Sequence, residues 1–312
     1  MENLYLSFSV IFPICVYLTL GYIMKRMNVL DDSTVKKMNN TIFKVFLPVL
    51  LFCNVYQADI ESALNPKLCI YGALSVVIVF LVSLIIIPRI EKDDKKISVI
   101  IQGIFRSNFV IFGLPVVTSL YGAENTGVTA VLIAVITPLF NSFAVIVLEI
   151  FRGGKIDVKH LLKGIITNPL IISSILGIIS IVTGFKMPAL IEKCVFDMSK
   201  VATPLALVLL GATFTFGSVK GYKKQIAIGI LGKLVIVPLI FLSIGVYLGF
   251  RNVELASLIA LFASPAAVSS FVMAEKMGGD STLAGQYIVL GSVCSIFTVF
   301  VFVFVLKQLG MI

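Results

Sequence analysis

An all-α integral membrane protein of ten transmembrane helices, arranged as two inverted five-helix repeats, is the fold that this 312-residue sequence predicts. Three observations carry that expectation. Hydrophobic residues make up 59 % of the chain and charged residues 13 %, whereas a soluble domain carries about 25 % charged residues. Ten apolar runs follow one another, most of them near or above the ~20 residues that cross ~30 Å of hydrocarbon. Finally, Pro13, Gly21, Lys44 and Pro48 recur as Pro169, Gly177, Lys200 and Pro204, each 156 positions later. Repeats with an odd number of spans place the second copy upside down relative to the first, a construction common among secondary transporters.

The first run, 4–24, ends on Lys25-Arg26 without a small-residue cleavage site and reads as a retained span, not a signal peptide. Runs 40–57 and 68–88 follow, and the fourth, 98–120, holds Arg106-Ser107-Asn108, Gly113 and Pro115. The fifth, 126–150, contains Asn141 and Ser142. A link from Phe151 to Lys163 with Arg152-Gly153-Gly154 separates repeats of residues 1–155 and 156–312. The second half supplies runs 163–184, 196–218, 226–249, 254–274 and 284–306. In the ninth of these, Phe262 and Pro265 align with Phe112 and Pro115 at a shortened offset of 150.

Basic residues orient the chain. With the N-terminus outside, the loops after spans 1, 3, 5, 7 and 9 would hold sixteen of the 25 lysines and arginines, including Lys25, Arg26, Arg89, Arg152, Lys220 and Lys276. Such asymmetry in short loops sets topology, so both termini are expected on the extracytoplasmic side of the plasma membrane. The net charge of +9 is then a topology signal, and its scatter over short loops argues against a nucleic-acid partner. Lys44, Arg106 and Lys233 fall within spans. The five cysteines lack C-x-x-C spacing and read as packing residues. Histidine occurs only at His160, so neither a catalytic triad nor a histidine metal cluster can be assembled. No G-x-x-x-x-G-K-[ST] loop couples the chain to ATP. The chain is therefore not expected to be an enzyme or to carry a cofactor or a metal.

Spans 4 and 9 are expected to break, the first at Gly113 and Pro115 and the second at Ser264-Pro265, because proline removes a backbone donor and clashes with the preceding turn. A helix restarting after a break presents free N–H groups and the positive end of its dipole, which favours an anion. The competing reading is that each proline only kinks its helix. Asn141 could line the cavity beside span 4 or form an interhelical hydrogen bond. Arg106 could attract anions or snorkel to the interface, whereas Lys44 and Lys200 read as interfacial anchors. No Asp or Glu lies at mid-depth, so the usual place for a proton-relay carboxylate is vacant of one.

The string Asn108-x-x-x-x-Gly113-x-Pro115 resembles the N-x-x-x-x-G-[IL]-P signature of the auxin efflux carrier family. Similar stretches are Met38 through Pro48, Asn168-Pro169 with Ser173-Ser174 and Gly177, and Ser264 through Ala274. The resemblance implies scaffold helices 1, 2, 6 and 7 and a mobile transport domain of helices 3–5 and 8–10, in a fold related to that of bile acid/sodium symporters. It also implies elevator-type movement of an organic anion, with Asn108 bonding a carboxylate. The candidate substrate-binding set is Asn108, Ser107, Phe112, Gly113, Pro115, Asn141, Ser264 and Pro265. Asn168-Pro169-Leu170-Ile171 and Leu51 depart from the plant pattern, which moves the expected substrate from auxin-like acids toward small carboxylates such as malate. A coupling ion, sodium or proton, and a homodimer through the scaffold helices complete the expected partners. An anion-selective channel, or a membrane sensor without a transport cycle, is the alternative.

Overall fold

The computed structural model describes residues 2–57, 65–122, 125–152, 166–214 and 221–312, and the side chains of 2–11 and 14 are outside that description. His160 and most of the link between the repeats also lie outside the described residues. Every described element is helical except for one isolated bridge.

The first half contains α1 (Glu2–Arg26), α2 (Asp32–Thr41), α3 (Leu47–Tyr56), α4 (Pro66–Ile90), α5 (Asp94–Phe105), α6 (Leu114–Tyr121) and α7 (Gly127–Ile150). The second contains α8 (Pro169–Thr183), α9 (Ala189–Thr213), α10 (Lys223–Leu231), α11 (Val237–Tyr247), α12 (Asn252–Phe262), α13 (Ser269–Met277) and α14 (Ser281–Gln308). Among the described residues each of the ten apolar runs contains helix. Among the described residues six helical stretches, 32–56, 66–90, 127–150, 189–213, 223–247 and 281–308, are long and apolar enough to cross a membrane. Several starts follow polar caps: Asp31, Asn65, Asp93, Asn168 and Asp280 each accept from a backbone N–H in the first turn. Pro66 and Pro169 occupy the first helical position after Asn65 and Asn168, where a missing N–H costs nothing.

Three π-helical turns interrupt the rods at Ile42–Phe46, Phe109–Gly113 and Gly232–Ile236. Each ends two residues before a proline, Pro48, Pro115 or Pro238. The ring of a proline collides with the carbonyl four residues back, and one wide turn lets the helix pass it. Pro115 therefore does not break the span; it sits in the first turn of α6, directly after the π turn. The real interruption in span 4 is Arg106–Asn108, upstream of the expected Gly113 and Pro115, and that in span 9 is Ala263–Val268. Asn108 and Ser264, both within the breaks, are 156 positions apart, so the original register continues where an offset of 150 was expected.

Two helix crossings pair positions 156 residues apart. A Cβ on Gly21 of α1 would lie 1.9 Å from the Val208 carbonyl oxygen of α9, and a Cβ on Gly211 would lie 2.0 Å from that of Leu18. A Cβ on Gly177 of α8 would lie 3.2 Å from the Phe52 carbonyl oxygen of α3. Gly21 and Gly177, like Phe52 and Val208, are separated by 156 residues, so the α1–α9 crossing recurs as the α8–α3 crossing. Small residues at such crossings let backbones approach closely, which drives helix association in lipid.

Burial divides the helices by position. Residues Ile97–Phe105 of α5 and Leu255–Phe262 of α12 are buried all round, which places these half-helices at the centre of the bundle. Helix α4 instead exposes Ile70, Leu74, Ile78, Leu81, Ile85 and Ile86, an apolar stripe suited to lipid. Loops at one end are tied together: Lys224 donates to the Ile90 carbonyl (2.8 Å), Gln225 to Glu91 (2.6 Å), and Asp280 N–H to the Lys95 carbonyl (3.2 Å). At the other end Lys67 donates to the Leu248 carbonyl (2.6 Å) and the Asn252 N–H to that of Met311 (2.9 Å).

Candidate functional site

The two breaks meet. Ser107 and Ala266 form an antiparallel bridge, and the Asn108 N–H donates to the Pro265 carbonyl at 2.7 Å. Four half-helices therefore converge on one point, α5 and α12 by their C-termini and the segments after Asn108 and Val268 by their N-termini. Backbone without helical bonds at this depth is tolerated only when buried in protein or lining a cavity, and here both hold.

A cavity of about 60 Å³ lies on the N-terminal side of the crossing. Its walls include Asn108–Ile111 and Ala267–Ser269 from the restarting helices, Thr137, Phe140 and Asn141 from α7, Leu47, Leu50, Leu51 and Asn54 from span 2, and Ala202, Thr203 and Ala206 from α9. The first N–H groups of a helix have no intrahelical partner, and two such ends face this space. Arg106 enters it as well. Only 3 % exposed, its guanidinium donates to the Asn141 carbonyl oxygen (2.8 Å) and to the Met273 sulfur (2.6 Å). A thioether is a weak acceptor, and among the described residues no carboxylate pairs with Arg106. Snorkelling to the interface, one of the expectations for this residue, is therefore replaced by full burial at the crossing.

Asn108 is 5 % exposed, lines the cavity, and its Nδ2 has no hydrogen-bond partner. Asn141 continues the chain of bonds outward, its Nδ2 donating to Ser174 Oγ at 3.2 Å. Thus the crossing is joined to α8 through Arg106 and Asn141.

The structure brings Ser107, Asn108 and Asn141 of the expected set to the cavity wall. Phe112 is fully buried in the apolar core, and Gly113 faces Ala260 so closely that a Cβ would lie 2.9 Å from its carbonyl oxygen. Pro115 stays within α6, and Ser264 turns its hydroxyl back onto the Ala260 carbonyl (2.6 Å). Pro265 borders a second, smaller space of about 10 Å³ behind the crossing, with Gly103, Lys233, Tyr287 and Gly291. Lys233, also 3 % exposed, donates to Ser107 Oγ, and that hydroxyl donates to the Leu261 carbonyl. Sequence reasoning assigned no role to Lys233. The signal was available, because a cation in the middle of an apolar run is costly and marks function or an interior partner.

Membrane-length helices around two interrupted helices that cross at a buried, cation-lined cavity define a multi-pass membrane transport protein. The comparisons agree: residues 6–303 match the family described as "Membrane transport protein", and the chain belongs to that family, the auxin efflux carriers. An "uncharacterized transporter" of Methanothermobacter thermautotrophicus is 25 % identical over 296 residues, covering 93 % of this chain and 95 % of the relative. The uncharacterized transporter MJ1031 of Methanocaldococcus jannaschii is 23 % identical over 305 residues, with 93 % and 96 % covered. YfdV of Escherichia coli, likewise an uncharacterized transporter, is 22 % identical over 273 residues, with 85 % and 86 % covered.

Proposed function

We propose that this protein is a secondary carrier of small organic anions, dicarboxylates such as malate in particular, which it moves across the plasma membrane by an elevator-type cycle. The observation that carries the reading is the charge around the cavity. Each helix N-terminus contributes roughly +0.5 of an elementary charge, so the two N-termini and Arg106 together present about +2 to a space without a carboxylate among its walls. A dicarboxylate matches that charge, and the unpartnered Asn108 amide offers it a further donor.

The packing suits a moving body. The cavity lies between the Gly-mediated crossings of spans 1, 2, 6 and 7 on one side and the crossing of spans 4 and 9 on the other. A scaffold of the former and a transport domain of spans 3–5 and 8–10 is the division we infer, with both termini extracytoplasmic. The Asn141–Ser174 hydrogen bond spans that boundary and would have to break in each cycle.

Counterflow in proteoliposomes tests the reading. Labelled malate should enter vesicles preloaded with unlabelled malate, saturably, and a monocarboxylate of similar size should compete poorly. Flux that neither saturates nor shows counterflow would replace the carrier by a channel.

A further inference from the structure

We propose that the ammonium of Lys233 is a built-in cation that neutralises the carbonyl ends of the two broken half-helices, so that the crossing needs no co-bound metal cation. The assignment goes beyond the proposed substrate and concerns what holds the back of the site.

The two faces of the crossing carry opposite charge. The N-terminal ends and Arg106 face the larger cavity, whereas the last turns of α5 and α12 end on the other side. Gly103, in the last turn of α5, borders the same small space as Lys233. Leu261, in the last turn of α12, accepts from Ser107, which in turn accepts from Lys233. Each helix C-terminus is worth roughly −0.5 of an elementary charge, so the pair presents about −1, the charge that one ammonium balances.

Among the described residues no other charged side chain borders that space. The remaining walls of the space are Gly229, Ile230, Leu234, Pro265, Ala266, Tyr287 and Gly291, all without charge. Among the described residues neither an acidic partner for Lys233 nor a cluster of metal-ligating side chains occurs. Lys233 lies in the π turn Gly232–Ile236, whose five-residue bonds replace those of a regular helix, two residues before Pro238 of α11. The ammonium thus stands at the point where a free cation would otherwise have to bind among carbonyls and hydroxyls, and it is tethered through the Ser107 hydroxyl to the break that carries Asn108. Lys233 is a positioning residue: it acts on the anion through Ser107 and the backbone of the break.

The test compares wild type with Lys233→Met in choline, sodium, lithium and methylammonium chloride, reading malate counterflow and melting temperature. Wild type should behave alike in all four salts. Lys233→Met should lose counterflow by about tenfold or more in choline, the loss of one cation at two helix ends, and recover part of it with methylammonium or lithium. Its melting temperature should rise with the same cations. Unchanged counterflow of Lys233→Met in choline, a deficit that no cation relieves, or a sodium requirement in wild type would each overturn the assignment. Should the variant aggregate in choline, purification in methylammonium decides: folded protein supports the assignment, and failure in every cation overturns it. If wild type carries no carboxylate the proposed function fails, while the cation dependence of the melting temperature still judges Lys233.

Discussion

Replacing Arg106 by methionine separates substrate binding from stability. The guanidinium is buried beside a neutral amide and a thioether, and an uncompensated buried charge costs several kcal/mol. Arg106→Met removes that cost. It also loses a charge-assisted hydrogen bond to Asn141, about 1.5–3 kcal/mol, and leaves the Asn141 oxygen unpaired at about 1–3 kcal/mol. These contributions oppose each other, so the melting temperature of the empty protein should stay near that of wild type or rise. The proposed binding should respond differently, because Arg106 is the one cationic side chain among the described walls of the cavity. One or two charge-assisted hydrogen bonds at about 1.5–3 kcal/mol each correspond to a loss of at least tenfold and up to about 10⁴-fold in affinity, at 1.4 kcal/mol per decade. Calorimetric titration of malate into both purified proteins measures the difference. A folded Arg106→Met that binds malate within about twofold of wild type would refute the placement of the anion beside this residue.

Asn108→Ala removes the unpartnered amide and should weaken malate binding by about one to two powers of ten, at unchanged melting temperature; wild-type affinity would remove Asn108 from the site. Gly21→Ala and Gly211→Ala force a Cβ to within 1.9 and 2.0 Å of a backbone oxygen, so each should lower stability by about 1–3 kcal/mol, read as earlier thermal aggregation in detergent. Pro265→Ala should impair binding more than Pro115→Ala, since Pro265 lies in a break and Pro115 within a helix; equal affinities would separate the site from the break. A short thiol crosslink between Cys residues at Asn141 and Ser174 should abolish counterflow while leaving the protein folded, and full activity in a completely crosslinked sample would argue against an elevator.

The apolar runs, the basic loops and the 156-residue repeat were legible because hydropathy, charge and helix punctuation are local properties. Composition alone placed the chain in a membrane, and Ser264-Pro265 marked the interruption of span 9, whereas that of span 4 falls upstream of the expected Gly113 and Pro115. Proline chemistry was misread at Pro115 for a physical reason: a π turn absorbs the clash, and whether it forms depends on the tertiary packing that accommodates it. The same limit hid the surroundings of Arg106 and Lys233, not the residues themselves. Sequence spacing predicts direction only while the backbone is regular, and Arg106 sits in the break itself while Lys233 sits in a π turn. Only the antiparallel meeting of Ser107 with Ala266 decided which cation faces the N-terminal ends and which the carbonyl ends. That meeting joins residues more than 150 positions apart, a distance over which periodicity carries no information, and it is the packing of the two halves that turns two polar interruptions into one site.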